Sequence, residues 1–185
     1  MEAVVALLRA VNVGGRQVQM TALRSRLTEV GCTNVRTYIQ SGNVVLTPPE
    51  THQQDLAMWL EDTISAFAAF RVPVIVRNSS EINRTVADNP YPHAEPNHLH
   101  AMFFAEPLPA GLFDSIDPTA AVEESWKVAG PDLYLHLPQG MGRAVLPALV
   151  EKVCKKANLH GTARNWNTIT MLARMAREPF DVKKR

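Results

Sequence analysis

Three short segments of this chain concentrate the side chains that bind ligands in proteins. The first, residues 9–17, combines arginine, asparagine and a glycine pair: Arg9, Asn12, Gly14, Gly15 and Arg16. Glycines let backbone N–H groups approach an anion, and guanidinium groups supply positive charge. The segment has no GxxxxGK[ST] or GxGxxG spacing. A plain strand-to-helix loop, in which Asn12 hydrogen-bonds the backbone, is therefore the competing interpretation.

The second segment places short polar side chains at a predicted hairpin tip: Gln40, Ser41, Gly42 and Asn43. Rigid turns hold such groups in position for a ligand. The same residue types also satisfy the backbone of a turn, which favours a structural interpretation. Ser41 has no GxSxG context, so it is not predicted to be a nucleophile.

The third segment unites a guanidinium, two amides and an indole near the end of the chain: Arg164, Asn165, Trp166, Asn167 and Thr168. Together these groups suit a phosphate, a base or a peptide. The competing interpretation is that Asn165 caps the final helix while Trp166 anchors that helix on a sheet.

Histidines offer weaker chemistry. His98 and His100 are two residues apart on a predicted strand and so point to one face, and His93 precedes them. Three histidines suit zinc, but the loop spacing is not fixed and no carboxylate motif accompanies them. We expect a solvent-exposed strand face, with no metal and no cofactor.

Composition excludes several classes of protein. Apolar residues make up 46% of the 185, and the formal charge is +1, so neither disorder nor strong nonspecific attraction to nucleic acid or membranes is expected. The chain has no uncharged apolar run of about 18 residues. Cys32 and Cys154 lie far apart and outside any CxxC pattern, which predicts reduced thiols. We expect a cytoplasmic protein.

The hydrophobic pattern predicts the elements that position these segments. In the first part of the chain, residues 3–8 indicate a buried strand, 20–30 a helix, 35–46 a hairpin, 51–70 a second helix and 72–76 a fourth strand. The order is βαββαβ, the ferredoxin-like arrangement. A capped helix over 79–88 and a connector rich in proline follow.

The pattern then restarts. Strands are predicted over 98–104, 123–128 and 133–137, a short helix over 112–116, and a helix over 143–157. A helix at about 166–176 takes the place of the expected last strand. The fold class is therefore α+β, with two ferredoxin-like βαββα halves packed into one compact unit and an extra C-terminal helix. The halves are residues 1–78 and 98–185, joined by the helix and Pro-rich connector 79–97.

Three stretches, residues 7–15, 34–45 and 162–168, read LLRAVNVGG, NVRTYIQSGNVV and TARNWNT. In these the chain resembles the bacterial domain-of-unknown-function 1697 family, whose pattern has glycine where this chain has Ala10. The resemblance extends over nearly the whole chain. It implies a compact α+β fold in a cytoplasmic bacterial protein, and it implies no activity.

Three functions stay open on these observations. The leading hypothesis is a protein that binds a polar or anionic ligand, nucleic acid among the candidates, through Arg9, Asn12, Gln40, Asn43 and Arg164. The second is an enzyme acting on a phosphorylated small molecule, and the third is a structural or protein-interaction module. Hairpin geometry is expected to place the tip beside the start of the first strand, about 20 Å from Arg9.

Overall fold

The computed structural model describes residues 2–178, which fall into two compact units. Residues 2–83 and 171–178 form the first unit, and residues 84–170 form the second. The halves predicted from the sequence, residues 1–78 and 98–185, were defined by the repeated pattern and the Pro-rich connector. Those boundaries remain a prediction.

The first unit contains a four-stranded antiparallel sheet in the order β2-β3-β1-β4. Its elements in chain order are β1 (Val4–Leu8), α1 (Met20–Glu29), β2 (Thr33–Tyr38), β3 (Asn43–Thr47), α2 (Leu56–Ala68), β4 (Val74–Asn78) and the start of α3 (Ser79–Ala87). All five residues of β1 are buried, as the uninterrupted apolar run predicts. The element order and the central position of β1 and β3 confirm the ferredoxin-like arrangement.

Helices α1 and α2 cover one face of this sheet because their apolar residues recur at helical spacing. Leu23 and Leu27 of α1 are fully buried, as are Leu60 and Ile64 of α2. All four belong to one hydrophobic cluster that also holds the β1 residues on that face. Burying side chains of this size stabilises the fold by roughly 1.5–3 kcal/mol each.

The second unit repeats the strand order as β6-β7-β5-β8. Its elements are β5 (Leu99–Phe104), β6 (Ser125–Ala129), β7 (Asp132–His136), α4 (Leu146–Lys156), β8 (Gly161–Asn165) and the start of α5 (Trp166–Arg177). Leu146, Val150 and Cys154 of α4 are buried in a cluster with Leu133 and Leu135 of β7. The predicted α+β fold with two similar halves is therefore confirmed.

Two predicted elements of the second unit are wrong. The last strand is present as β8, and the predicted C-terminal helix follows this strand without replacing it. Residues 112–116 form turns instead of a short helix. Gly111 has φ of +70°, and one turn of apolar spacing gives too few hydrogen bonds to nucleate a helix.

The chain passes from the first unit to the second within α3 and returns within α5. A reciprocal capping box begins α3: the N–H of Glu81 donates to Asn78 Oδ1 at 2.8 Å, and the N–H of Asn78 donates to Glu81 Oε2 at 2.8 Å. Cys32 and Cys154 are both buried, and no disulfide links them.

Candidate anion-binding site

The loop that follows β1, residues 9–19, is fixed by the side chain of Asn12. Its Nδ2 donates to the carbonyl oxygens of Val18 (3.1 Å) and Gln40 (2.5 Å), and its Oδ1 accepts the N–H of Val18 (2.8 Å). One amide therefore closes the loop on itself and ties it to the β2–β3 turn. We call residues 9–19 the anchored loop and residues 39–42 the hairpin tip.

The hairpin tip lies at the end of β1, and the expectation that it lies beside the start of β1 is wrong. Leu7 pairs with Asn43, and the N–H of Leu8 donates to the carbonyl of Gly42 at 2.8 Å. A Cβ at Gly42 would lie 2.8 Å from the Cβ of Leu8 and would also press on Val11. Because antiparallel neighbours place the start of one strand beside the end of the other, the first two predicted segments converge.

Asn43 serves the hairpin itself. It is fully buried, and its Nδ2 donates to the Tyr38 carbonyl at 3.1 Å and to Ser41 Oγ at 2.9 Å. These bonds favour the structural interpretation of Asn43. Gln40 and Ser41 are exposed beside it.

Left-handed backbone is concentrated in these two segments. Ala10, Asn12 and Ile39 have φ of +56°, +55° and +47°, and Gly14 and Gly15 share the positive sign. Ala10 thus adopts the conformation that glycine, expected there from the family pattern, accepts without cost. A β-branched residue at positive φ is a genuine outlier, and Ile39 is also 53% exposed. Such conformations persist only where surrounding contacts hold them, and they cluster at functional sites.

The anchored loop carries two arginines, Arg9 and Arg16. Arg9 is half-buried, and its backbone N–H donates to the Pro73 carbonyl at 2.9 Å. The Arg16 guanidinium lies 5.8 Å from the centre of the Phe70 ring. Both arginines therefore lie beside the connection between α2 and β4. Within residues 2–178, neither side chain forms an ion pair.

The glycine pair lies at the outer turn of the anchored loop, where Arg16 N–H donates to the Val13 carbonyl at 3.1 Å. Gly14 and Gly15 are exposed, and a Cβ added at either position would meet nothing within 4 Å. Steric crowding does not demand glycine here; the positive φ does. The turn therefore places an exposed glycine pair directly before Arg16.

The third predicted segment lies in the second unit and is described by itself. Arg164 is buried, and its Nη1 donates to Thr162 Oγ1 (2.7 Å) and to the Ala163 carbonyl (2.9 Å). Desolvation by burial lowers the pKa of this guanidinium to about 10. These contacts favour a structural role for Arg164.

Asn165 and Trp166 also make contacts within their own unit. Asn165 Oδ1 accepts the N–H of Asn167 at 3.0 Å, which is the capping bond that the sequence predicts for α5. Its Nδ2 donates to the carbonyls of Pro96 and Asn97, both at 3.2 Å. The Trp166 ring lies 6.3 Å from the ring of Tyr134 on β7, so the indole packs on the sheet.

The histidines do not occupy one exposed face. His100 is buried, which contradicts the expected solvent-exposed strand face, and its pKa is lowered by desolvation and, less strongly, by the charge of His98. His98 precedes β5 in a 3₁₀ turn and is half-exposed. Within the part of the chain that the structure describes, no three His, Cys, Asp or Glu side chains are arranged to hold a metal ion.

Sequence reasoning missed Ile39 and Phe70 as neighbours of the candidate site. Ile39 continues the alternating pattern of β2, so nothing in the pattern distinguishes it from a strand residue. Phe70 is the last residue of the predicted helix over residues 51–70. Only the folded end of the sheet brings either residue beside the anchored loop.

The two sheets, the anchored loop and the hairpin tip define an α+β protein with a candidate site in its loops. The chain belongs to the family described as "Protein of unknown function (DUF1697)", whose model matches residues 1–134. A similar solved structure is that of the conserved bacterial protein SP0830 from Streptococcus pneumoniae, which is 20% identical with a TM-score of 0.79. The match covers 96% of this chain and 99% of that one, and it supports the fold.

No protein among the curated sequences matches this chain. Across residues 2–178, none of the helices has the length and apolar character needed to cross a membrane.

Proposed function

We propose that the anchored loop and the hairpin tip bind an anionic, phosphate-bearing ligand. The observation that carries the proposal is the pair Arg9 and Arg16: neither forms an ion pair within residues 2–178, yet the loop that carries both is fixed by Asn12. Arginines without an ion-pair partner are common, but here the backbone that carries them is already ordered. A ligand therefore encounters charges whose loop does not need ordering on binding.

The chemistry of the site suits phosphate oxygens. A guanidinium donates two parallel hydrogen bonds to such a group, and the exposed glycines Gly14 and Gly15 let a phosphate approach the backbone of the turn. Gln40 and Ser41, exposed on the hairpin tip, add polar contacts. Arg71, in the connection between α2 and β4, forms an ion pair with Glu61 at 3.0 Å. Its positive charge is therefore less available to a ligand than the charges of Arg9 and Arg16.

Binding is favoured over catalysis by the surroundings of Ser41. Its hydroxyl accepts the amide N–H of Asn43, and an amide cannot take a proton from a nucleophile. Because the anchored loop carries two arginines, the proposed ligand class includes nucleotides and single-stranded nucleic acid, whose several phosphates offer a partner to each arginine.

The test is a titration of the protein with pyrophosphate, a nucleoside triphosphate and a ten-nucleotide oligothymidylate, followed by backbone NMR shifts. Arg9→Gln and Arg16→Gln are each expected to weaken binding about tenfold, from the loss of one charged hydrogen bond. The loss should shrink as salt rises, because exposed charges are screened.

Arg24→Gln is the matched control, because Arg24 is an exposed arginine of α1 that forms no ion pair among the described residues. It should leave binding unchanged. Asn12→Ala, which releases the anchored loop, should also weaken binding. If none of the three ligands shifts the loop resonances, or if Arg24→Gln weakens binding as much, the site is not here. If binding is weakened only by Arg164→Gln, the binding site lies at the end of β8 instead.

A further inference from the structure

We infer that the second unit carries a separate site for a small quaternary ammonium ion. The site is a cavity of about 470 Å³ lined by residues 90–95 together with His98 and His136. A volume in this range is usual for a small-molecule site. The inference is independent of the anionic ligand proposed for the first unit.

The wall of the cavity is held in one conformation. Tyr91 N–H donates to Asn89 Oδ1 at 2.8 Å, and the Tyr91 carbonyl accepts the N–H of Ala94 at 3.1 Å. Proline occupies positions 90, 92 and 96, each with a fixed φ. The far end is tied down where Asn165 donates to the carbonyls of Pro96 and Asn97. A ligand would therefore meet a preformed surface.

The residues that line the cavity are mainly apolar or aromatic. When the imidazoles of His93, His98 and His136 are neutral, Glu95 carries the single formal charge among the lining residues. Proline rings and Ala94 supply the apolar part, and Glu95 supplies an exposed carboxylate. The rings of Tyr91 and His136 stack with centroids 5.5 Å apart at 27°. Glu95 makes no ion pair within residues 2–178, so its charge is available to a ligand.

The Tyr91 ring already attracts a cation from its own unit. The Nζ of Lys127, on β6, lies 5.6 Å from the centre of that ring. An aromatic face attracts a cation through its quadrupole, and desolvation strengthens the attraction. The cavity thus combines an aromatic ring with a carboxylate that forms no ion pair among the described residues, and the Lys127 ammonium competes with a ligand cation for that ring.

The quaternary form fits this lining better than a primary amine. A primary ammonium has three N–H donors; the carboxylate of Glu95 and the neutral imidazoles accept such donors, but any donor left facing the proline and tyrosine rings loses its hydrogen bond to water. A quaternary ammonium has no N–H to leave unsatisfied, and its methyl groups contact apolar rings directly. The side chains that face the cavity carry no bidentate cationic fork of the kind that selects phosphate.

The probes are choline, ethanolamine and 3,3-dimethyl-1-butanol, which is the neutral carbon isostere of choline. Each is titrated into the full-length protein at pH 8 while backbone NMR shifts are recorded. Choline should give saturable shifts over residues 90–98 and at His136, with weaker binding of ethanolamine and the weakest binding of the isostere. Equal binding of choline and its isostere would overturn the inference, because charge would then play no part.

Two variants test the assigned groups. Glu95→Gln should weaken choline binding about threefold to tenfold, whereas Glu106→Gln, an exposed carboxylate of the same unit, should not. Tyr91→Phe keeps the ring and should retain binding, and Tyr91→Leu should lose it. Unchanged choline affinity in Glu95→Gln, or retention in a folded Tyr91→Leu protein, contradicts the assignment.

Discussion

The two units share a strand order and also a buried arginine at the same position. Arg77 pairs with Val5 across β4 and β1, and Arg164 pairs with Ala101 across β8 and β5. Both guanidiniums are buried and donate to the carbonyl of the preceding residue. In each unit an asparagine follows the arginine and caps the helix that begins directly after it.

The connections between the strands differ. In the first unit β1 leads through the anchored loop into α1, whose leucines cover the sheet. In the second, residues 105–124 contain turns and a 3₁₀ segment, and Phe113 and Ile116 of this connection join the residues of α4 that cover the sheet. The two sheets therefore share a buried arginine position, whereas the connections between their strands differ. Both candidate sites lie in connections, as rigid scaffolds commonly arrange.

The largest expected effect tests whether the two buried arginines are equivalent. Arg164→Ala should lower the free energy of unfolding by roughly 3 kcal/mol, because it opens a cavity and removes a donor from Thr162. Arg77→Ala should cost a similar amount. Urea unfolding followed by circular dichroism measures both.

Replacement by methionine separates shape from charge at these positions. Since desolvation lowers the pKa of Arg164 to about 10, the charge itself is disfavoured by burial. Arg164→Met should therefore cost roughly 1–2 kcal/mol less than Arg164→Ala. If both Arg164 variants were as stable as the wild type while Arg77→Ala unfolded, the equivalence of the two units would fail.

Much of the fold follows from the sequence because its strongest patterns are local. The apolar run of β1 and the alternation before Gly42 predict the first sheet. The strand β8, by contrast, reads Gly-Thr-Ala-Arg-Asn, which has little β propensity, and it pairs only because β5 lies beside it. Tertiary contacts, and not local propensity, therefore determine that residues 161–165 form a strand.

The candidate site could likewise be predicted from the sequence only in part. The sequence indicates candidate residues, but the convergence of the first two segments was missed, because the hairpin tip was expected at the start of β1 and it lies at the end of β1. The bonds of Asn12 to Val18 and Gln40 depend on the left-handed turns of the loop. Alternating or helical periodicity carries no information about such turns.

The second prediction compares the hairpin tips of the two units. Gly42 and Gly130 both have positive φ, at +73° and +57°. Gly42→Ala should lower stability by roughly 3 kcal/mol, because its Cβ would collide with Leu8 and Val11 besides the conformational cost. Gly130→Ala, with open space around it, should cost only about 1 kcal/mol. Equal losses in chemical denaturation would show that crowding at the first tip is unimportant.

The third prediction concerns Cys32, the cysteine of the first unit. Burial raises the pKa of its thiol to about 11, from an ordinary 9.0. The folded state therefore holds this proton between pH 9 and 11 while the unfolded state releases it. The stabilisation is complete below pH 9 and is lost as pH rises through 11.

At pH 10 the loss relative to pH 8 should be about 1 kcal/mol. The measurement is the free energy of unfolding of wild type and Cys32→Ala at both pH values, since the other groups titrate alike in both proteins. A wild type that loses no more stability than Cys32→Ala would contradict the buried thiol.

The smallest expected effect tests the left-handed backbone that distinguishes the anchored loop. Ala10 is exposed and has φ of +56°, whereas Ala105, exposed just after β5, is not among the residues with positive φ. Ala10→Gly removes a steric cost of roughly 1 kcal/mol but adds freedom to the unfolded chain, so the net gain should be about 0.5 kcal/mol. The melting temperature should rise by roughly 1–2 °C. Ala105→Gly adds only the freedom and should lower it. A fall in both variants would mean that Ala10 is not held in the left-handed region, and the first unit would then lack the fixed loop on which its proposed site depends.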